Sequence, residues 1–581
     1  MKEDVRFRCL SPEGLLATPE PIVAVSPRLG DIAERKIRLF WDGKAGGDNL
    51  CVALRDALAE TYPTASVEWV PLGDMDAVAK ARAELDAFIY AVGDSGMGGW
   101  NASLNGARME LELNRPGVLI VADNAIRTAR TAAGVAGMPD LHIVSLPSIE
   151  YFPNRMTVEG LRALARATVG EVVRGLTVPS SPEGIGPAER ERTEGGAETV
   201  VVTATSCESG LEKYNRICED KGWGDGLPLV PATEEAVEWM LTGTRRSPDD
   251  VLGRLPYRGG IITVRKVAIN AVMAGAKPEY LPVIIAAMEC LGEGEGFHHA
   301  MSSEGSFTFA IVVSGRRGKK LGMNCGVGLL GHGYRANSTI GRAVRLCLNN
   351  IGYVRPGEID MALIGRPSSH TFYTFCENED QSPWEAYHVS QGFGENEDCV
   401  TVTTVGGMTG FGMKVYGGGV VEPWDVESVL DQIVKDVAAD REVLGQYRLG
   451  AGNPAAHFRK HIVIVHPELA ILLHRRGYSR WSLVDFLFES AKVPYEELSE
   501  GEIAAIRERI GTKPGGLFFK NDAIPQNRLE EVKAALNPGG RMPVAFKEDL
   551  HVIVSGSIPG YSFGLTYFRS AHDTRHIESV P

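Results

Sequence analysis

Phe88-Ile89-Tyr90-Ala91-Val92 runs without a charged interruption into Gly93-Asp94-Ser95-Gly96-Met97-Gly98-Gly99. A short continuous apolar run of this kind suits a strand buried on both faces, and the glycines after it suit a tight turn into a helix. Working outward, the rhythm recurs. Apolar runs at 37–41 and 67–72 precede this strand, and runs at 118–122 and 143–146 follow it. Helical patterns such as 49–61 and 75–85 lie between them. Apolar strands alternating with amphipathic helices predict a parallel sheet covered on both sides. Five such units over residues 36–177 predict an α/β domain of the flavodoxin-like, doubly wound kind.

Residues 178–198 then change character. Pro179, Ser180, Ser181, Pro182, Gly184, Gly186 and Pro187, followed by charged residues and Gly195-Gly196, form a stretch that buries little apolar surface. It reads as a linker. Residues 199–581 read as a larger mixed α/β domain, or two interleaved subdomains. Helices are expected at 264–274, 280–291, 338–351, 426–438 and 482–490, and strands at 307–313, 400–405, 462–465 and 550–554. No repeat of solenoid length is visible.

The chain has 581 residues, 60 Lys plus Arg and 74 Asp plus Glu, for a net charge of −14. That balance argues against a nucleic-acid binder and against docking on an anionic membrane. Glycine is abundant at 67 residues, which implies many tight turns and close backbone approaches. The first ten residues carry Lys2, Glu3, Asp4 and Arg6 with no apolar run behind them, and the longest apolar stretch, 281–291, is far below the ~20 residues of a membrane span. Nine cysteines without a CxxC pair read as reduced thiols. The expectation is a soluble cytoplasmic protein, and a large glycine-rich chain of this type is expected to be a homo-oligomer.

In a doubly wound sheet, ligands bind at the carboxyl ends of the strands. Those ends are Asp42-Gly43-Lys44, the segment 93–99 and Asp123-Asn124. Asp94, Ser95, Gly96, Gly98 and Gly99 are therefore candidate contacts for an anion at a helix start; the bland alternative is an ordinary strand-to-helix turn. Serine-protease chemistry is not implied by Gly93-Asp94-Ser95-Gly96, because no His lies near in sequence to act as base.

A second glycine loop, 324–333, leads into a helix expected to start near Asn337 or Ser338. Gly326, Gly328 and Gly331 spell GxGxxG, yet no strand directly precedes them and no acidic residue follows at about 20 positions, so a dinucleotide fingerprint fails. Asn324, Arg335, Asn337, Ser338 and Arg342 instead predict a site for a carboxylate or phosphate; the alternative is a capped helix with two solvated arginines. His332, Glu377, Glu379 and His388 are the candidate proton movers, and Cys325, near a helix start, is the candidate nucleophile unless it is simply a small buried thiol. Ser555 and Ser557, in a loop after a strand, are candidate hydroxyl donors to the same cleft. If a metal binds, His298, His299, His332, His370 and Cys376 are the ligand set, although neither HExxH nor CxxC spacing occurs. The sequence specifies no cofactor, and it carries no separate flavin signature.

Two resemblances follow from particular strings. Ala91-Val92-Gly93-Asp94-Ser95-Gly96-Met97-Gly98, with the helix behind it and the strand at 117–122, resembles the bacterial selenoprotein-related UGSC family, named for its Sec-Gly-Ser-Cys motif, over about residues 37–176. The resemblance implies selenol or thiol chemistry, but Ser95 falls at the selenocysteine or cysteine position and Gly98 at that of the partner cysteine. A serine hydroxyl lacks the acidity and redox activity of a thiol, so this domain is expected to bind or position rather than to react. Over about residues 212–393, Trp223-Gly224-Asp225-Gly226-Leu227-Pro228, Arg335-Ala336-Asn337-Ser338-Thr339-Ile340-Gly341-Arg342 and Glu377-Asn378-Glu379 resemble an uncharacterised bacterial family often found as separate chains, which implies no reaction.

The leading expectation is a cytosolic enzyme of lyase or transferase type. It makes or breaks a C–S or C–N bond in a small anionic substrate, with His332 or Glu377 moving protons. The heteroatom is an analogy from the selenoprotein resemblance alone. A metal-dependent oxidoreductase or hydrolase, and a non-catalytic binding subunit of a UGSC-type complex, are the rival expectations.

Overall fold

Strand-forming residues open the chain. Val5–Leu10 (β1) and Leu15–Leu16 (β2) precede the first unit of the doubly wound pattern. The computed structural model describes residues 5–16, 25–41, 47–70, 75–94, 96–148, 157–179, 199–256, 258–294, 297–303, 305–362, 364–411, 426–438, 460–511, 528–544, 547–556, 562–567 and 572–579.

The five apolar runs form β3 (Lys36–Trp41), β4 (Ser66–Val70), β5 (Ala87–Gly93), β6 (Gly117–Ala122) and β7 (Ile143–Leu146). They make one parallel sheet in the order β4-β3-β5-β6-β7. In units of this domain that is 2-1-3-4-5, the flavodoxin-like order. Helices α1 (Gly47–Thr61), α2 (Met75–Glu84), α3 (Gly96–Leu113), α4 (Ile126–Val135) and α5 (Val158–Thr177) connect and cover the strands. Alternate residues of β5 supply two separate cores: Ile89 and Ala91 pack with α1 and α5, while Phe88 and Tyr90 pack with α3. Every residue of β5 and β6 is buried, which explains the unbroken apolar runs.

β1 does not belong to this domain. It pairs antiparallel with β8 (Thr199–Ala204), Leu10 lying opposite Thr199, and β2 pairs with β10 (Gly260–Thr263), which also pairs with β9 (Val251–Leu255). Cys9 is fully buried in the core of the larger half. The flavodoxin-like domain is thus inserted between β2 and β8, an arrangement the boundaries 36–177 and 199–581 leave unspoken. Of the expected linker, residues 180–198 lie outside the described residues.

The insertion makes a clear prediction. Leu10 sits beside Thr199, and six further residues reach Leu16, so the gap to be bridged is at most ~20–25 Å. Replacing residues 17–198 by about ten Gly/Ser residues, which reach up to ~33 Å, should leave a larger half that unfolds cooperatively in a thermal melt. A chain that stays unfolded would show that the insert is needed for the rest.

The larger half begins with α6 (Cys207–Lys221) and α7 (Glu234–Leu241), then a nearly all-apolar pair, α8 (Val264–Met273) and α9 (Leu281–Glu293). A short helix α10 (Phe297–Ser302) leads to β11 (Thr308–Ser314), α11 (Arg317–Lys320), α12 (Arg335–Asn350) and β12 (Tyr373–Cys376). After α13 (Tyr387–Ser390) come β13 (Cys399–Val405), β14 (Gly407–Phe411), α14 (Val426–Ala438), β15 (Lys460–Val465), α15 (Pro467–Arg475) and α16 (Arg480–Ala491). The two-residue strands β16 (Val493–Pro494) and β17 (Arg541–Met542) pair with each other; α17 (Glu500–Gly511) and α18 (Leu529–Ala535) lie between them. The last strands are β18 (Leu550–Val554), β19 (Ser562–Tyr567) and β20 (His572–His576).

Two four-stranded sheets result, β12-β11-β13-β20 and β18-β15-β19-β14. Each contains a parallel pair (β11 with β12, β15 with β18) and an antiparallel neighbour on the other side (β13, β19). Each lends its last strand to the other: β13 runs on into β14, and β19 precedes β20. The same arrangement is therefore built twice, with no matching repeat visible in the sequence. Strand periodicity of two divides the side chains cleanly. Ala310, Val312, Phe375 and Val405 meet Ile462, Ile464 and Ile553 between the sheets. Ile311, Val313, Val400 and Val402 face the core of α8, α9 and α12, and Val463, Val465, Val552 and Val554 face α14, α15 and α16. The layers are helix, sheet, sheet, helix. No described helix is long and apolar enough to cross a membrane.

Candidate active site

The carboxyl ends of the two parallel pairs meet. Each pair is prolonged by one backbone hydrogen bond, Glu377 N–H to Val313 O (2.9 Å) and Ser555 N–H to Val465 O (3.1 Å). The pairs then clasp one another. Asn378 N–H donates to Val554 O (2.8 Å), and the Ser555 hydroxyl donates to Cys376 O (2.8 Å). These bonds place residues 376–379 beside residues 555–556, although Ser555 follows Cys376 by 179 positions in sequence.

Cys325 is drawn into this junction. Gly556 N–H donates to Cys325 O (2.9 Å), and the Asn378 amide reaches the same carbonyl at 3.4 Å. The loop behind it is clipped by Asn337, whose Oδ1 accepts from Asn324 N–H (2.8 Å) and whose Nδ2 donates to Asn324 O (3.3 Å) and Thr374 O (2.9 Å). Asn324 in turn bonds Gly326 N–H and Val327 O.

Two thiols face each other here. Cys376, buried at the end of β12, hydrogen-bonds to Cys325, and its Sγ lies 3.6 Å from Met323 O. Gly318 of α11 permits this. A Cβ there would sit 2.6 Å from the Cys376 Cβ. Cys325 is partly exposed. The hydrogen bond from Cys376 lowers its pKa most, burial opposes, and the Lys319 charge assists, so the thiol is pushed down to about 7. Cys376 moves the opposite way: its bond to Cys325 and its burial both favour the protonated thiol. A partly exposed thiol held near neutrality is a nucleophile, whereas thiols buried in apolar surroundings are inert.

Glu379 completes the electrostatics. Burial, with the negative charges of Glu377 and Asp398, raises its carboxyl above the usual range, while Gly315 N–H donates to it. Its charge is felt by both Cys325 and Cys376. His466, the N-cap of α15, is buried nearby, and a Cβ at Gly556 would lie 4.0 Å from the His466 Cβ. Burial pushes this imidazole down to about 4, so it is neutral; its Nδ1 accepts from Leu469 N–H.

The other candidates fall differently. The cradle of Arg335 and Arg342 does not form, and this corrects the expected anion site. Both Arg335 Nε and Nη2 donate to Gly275 O, and Arg342 grips Asp225 bidentately (2.7 and 2.9 Å) while also donating to Leu227 O and Pro228 O. Burial alone would raise Asp225, yet Arg342 holds it below the usual carboxylate range. The helix begins at Arg335, without a side-chain cap; Asn337 and half-buried Ser338 lie inside its first turn rather than capping it. His332 is exposed on its glycine loop. Glu377 is buried and held by internal partners. It accepts from Arg480 Nη2 (2.9 Å) and from Tyr387 N–H (2.7 Å). His388 is fully buried with Nε2 3.2 Å from Gly394 O. Tyr387 also reaches His551 (2.9 Å) and His572 (3.1 Å), whose rings stack on one another.

In the inserted domain, Gly96 opens α3, so Gly98 and Gly99 belong to its first turn rather than to a loop. Gly99 is needed for packing: a Cβ there would lie 2.9 Å from Ala125 O. Asp94 follows the strand and is half-buried. Ser95, Ser557 and Asp42-Gly43-Lys44 lie outside the described residues, as do the side chains of Met97, His298 and His299. His370 is half-exposed, its Nδ1 3.8 Å from Asp225 Oδ2. Among the described residues, no three of His, Cys, Asp and Glu gather as metal ligands. Asn378, Lys319, Gly556 and His466 complete the site unforeseen, because only the clasp between the two strand pairs brings them together.

The fold and site define an α/β chain in which a doubly wound domain is inserted into a larger half built on a helix-backed double sheet, with Cys325 and Cys376 at the junction of its parallel strand pairs. Residues 8–178 match the family model of the UGSC family, so the N-terminal part of the chain resembles that family. No curated protein matches the chain.

Proposed function

We propose that the protein is a cytosolic thiol-dependent enzyme that makes or breaks a C–S or C–N bond in a small anionic substrate. The observation that carries this reading is the placement of Cys325 beside Cys376 at the junction of the two parallel strand pairs, where Gly556 and Ser555 hold their carbonyls. The Cys325 thiolate attacks the carbon that bears the heteroatom, forming a C–S bond to the enzyme. The departing nitrogen or sulfur takes a proton, with Glu379, whose carboxyl is raised above its ordinary range by burial, as the acid of this reading. Water or a second acceptor then releases the bound carbon and returns the thiolate. Lys319, whose charge reaches Cys325, is ion-paired with Asp380, so an anionic guest would have to share it. The choice of nitrogen or sulfur rests on the selenoprotein-related family of the inserted domain and is an analogy.

Alkylation tests the centre without knowledge of the substrate. Peptide mapping after brief iodoacetamide treatment should show Cys325 reacting with a midpoint at about pH 7, the rate rising roughly tenfold between pH 6 and pH 8. Cys376→Ala should move the midpoint up towards the ordinary thiol range of about 8.5. A Cys325 that reacts no faster than exposed Cys207 at pH 7 would sink the reading.

A further inference from the structure

We infer that Cys325 and Cys376 form a two-electron dithiol/disulfide centre, oxidised by hydroperoxides, with Cys376 as the resolving thiol. The inference rests on the reading of Cys325 as the reactive group and extends it to a second residue and a second class of co-substrate.

The geometry separates the two roles. Cys325 is partly exposed and sits in a loop that contains Gly326, Gly328, Gly331 and Gly333; Gly328 and Gly333 adopt positive φ (69° and 101°). Cys376 is fixed. Its carbonyl is held by Ser555, its Cβ is wedged against Gly318, and it is the last residue of a central-layer strand. The accessible sulfur on the loop therefore meets the oxidant, and the fixed, buried sulfur waits beside it: Cys376 Sγ lies 3.6 Å from Met323 O, two residues before Cys325, and Ser555 and Gly556 hold the carbonyls of the two cysteines side by side. A lone reactive cysteine would lack this second step.

The chemistry balances. The Cys325 thiolate attacks the distal oxygen of ROOH, the O–O bond breaks, and the departing alkoxide takes a proton to give ROH, leaving Cys325 as a sulfenic acid. The Cys376 sulfur then attacks the Cys325 sulfur, and its proton leaves with the displaced hydroxide as water. Two thiols lose two electrons; one hydroperoxide becomes one alcohol and one water. A thiol reductant returns the pair.

The chain supplies its own control. Cys9 and Cys218 also lie close enough for one to feel the other's charge, but both are fully buried and burial pushes both up, to about 12 and about 11. They should stay reduced.

The test treats the full chain with hydrogen peroxide and maps disulfides and dimedone adducts by mass spectrometry. The expected result is a 325–376 disulfide, loss of two titratable thiols and recovery with dithiothreitol, with no 9–218 disulfide. In Cys376→Ser, dimedone labelling of Cys325 should rise roughly tenfold over wild type, since the sulfenic acid is no longer resolved. Equal labelling of both proteins, without a disulfide in wild type, would overturn the inference. If Cys325 still alkylates with a midpoint near pH 7 in that case, only the redox role fails. If it is inert to both reagents, the proposed function fails as well. Should Cys376→Ser not fold, the wild-type disulfide map decides alone.

Discussion

Arg480→Met should destabilise the larger half by about 3–5 kcal/mol, because it leaves Glu377 as an uncompensated buried charge. The pair is almost wholly removed from water, with side-chain exposures of 3% and 0%. Arg480 donates to Val552 O, to Glu385 O and to Glu377 Oε1, so one guanidinium ties α16 to β18 and to the end of β12. It thus holds the two sheets together beside Cys376. The double variant Glu377→Gln/Arg480→Met should recover at least half of the loss, since the glutamine carbonyl can still accept from Tyr387 N–H and no ion is left unpaired. Chemical denaturation of wild type and the two variants checks this. A single variant that costs under about 1 kcal/mol, the range of exposed pairs, would mean that the pair is solvated.

Gly341→Ala is the second large effect. In an exposed helix this change would stabilise by about 1 kcal/mol. Here a Cβ would fall 1.7 Å from Thr371 O and 2.5 Å from the Thr374 hydroxyl, against backbone that cannot step aside cheaply. The overpacking cost, about 1–3 kcal/mol or more, wins. The displaced segment contains the Thr374 carbonyl on which Asn337 docks, and Asn337 clips the Cys325 loop. Gly341→Ala should therefore lower the melting temperature and also slow alkylation of Cys325 at pH 7. An unchanged or higher melting temperature would show that α12 and the 371–374 segment separate freely.

The inserted domain is legible in the sequence because its information is local. The central strands β5 and β6 are wholly enclosed, so their apolar runs are unbroken, and each helix follows its strand directly; Ile143–Leu146 falls where the pattern puts it and the other strands within two residues at either end. In the larger half the elements are legible and their pairing is not. Helix 426–438 and strand 550–554 are where the periodicity places them, but nothing local tells Cys399 to pair with His576 or Gly407 with Thr566. The strand β12, Tyr373–Cys376, is not among the expected strands, and its partner β11 lies far away in sequence.

The site divides on the same line. Cys325, Glu379 and Ser555 carry chemistry that is recognisable from residue type and surroundings. The arginines mislead because their partners are distant in sequence: Arg342 finds Asp225 117 residues away, and Arg335 finds Gly275 60 residues away. A charge near a helix start suggests a ligand only until the fold supplies an internal partner. Glu377 misleads in the same way, since Arg480 lies 103 residues on.

The exchange of final strands between the two sheets bears on how the chain is made. A ribosome adding about 5–20 residues per second finishes the doubly wound insert early, so that unit can fold while synthesis continues. The first sheet cannot follow suit. Its edge partner for β13 is β20, whose residues are added roughly ten to thirty seconds after Val405. Throughout that interval β13 offers an unpaired edge beside the half-built cysteine junction, and the nascent protein would need a chaperone, or a fast completion, to keep that edge from a neighbour.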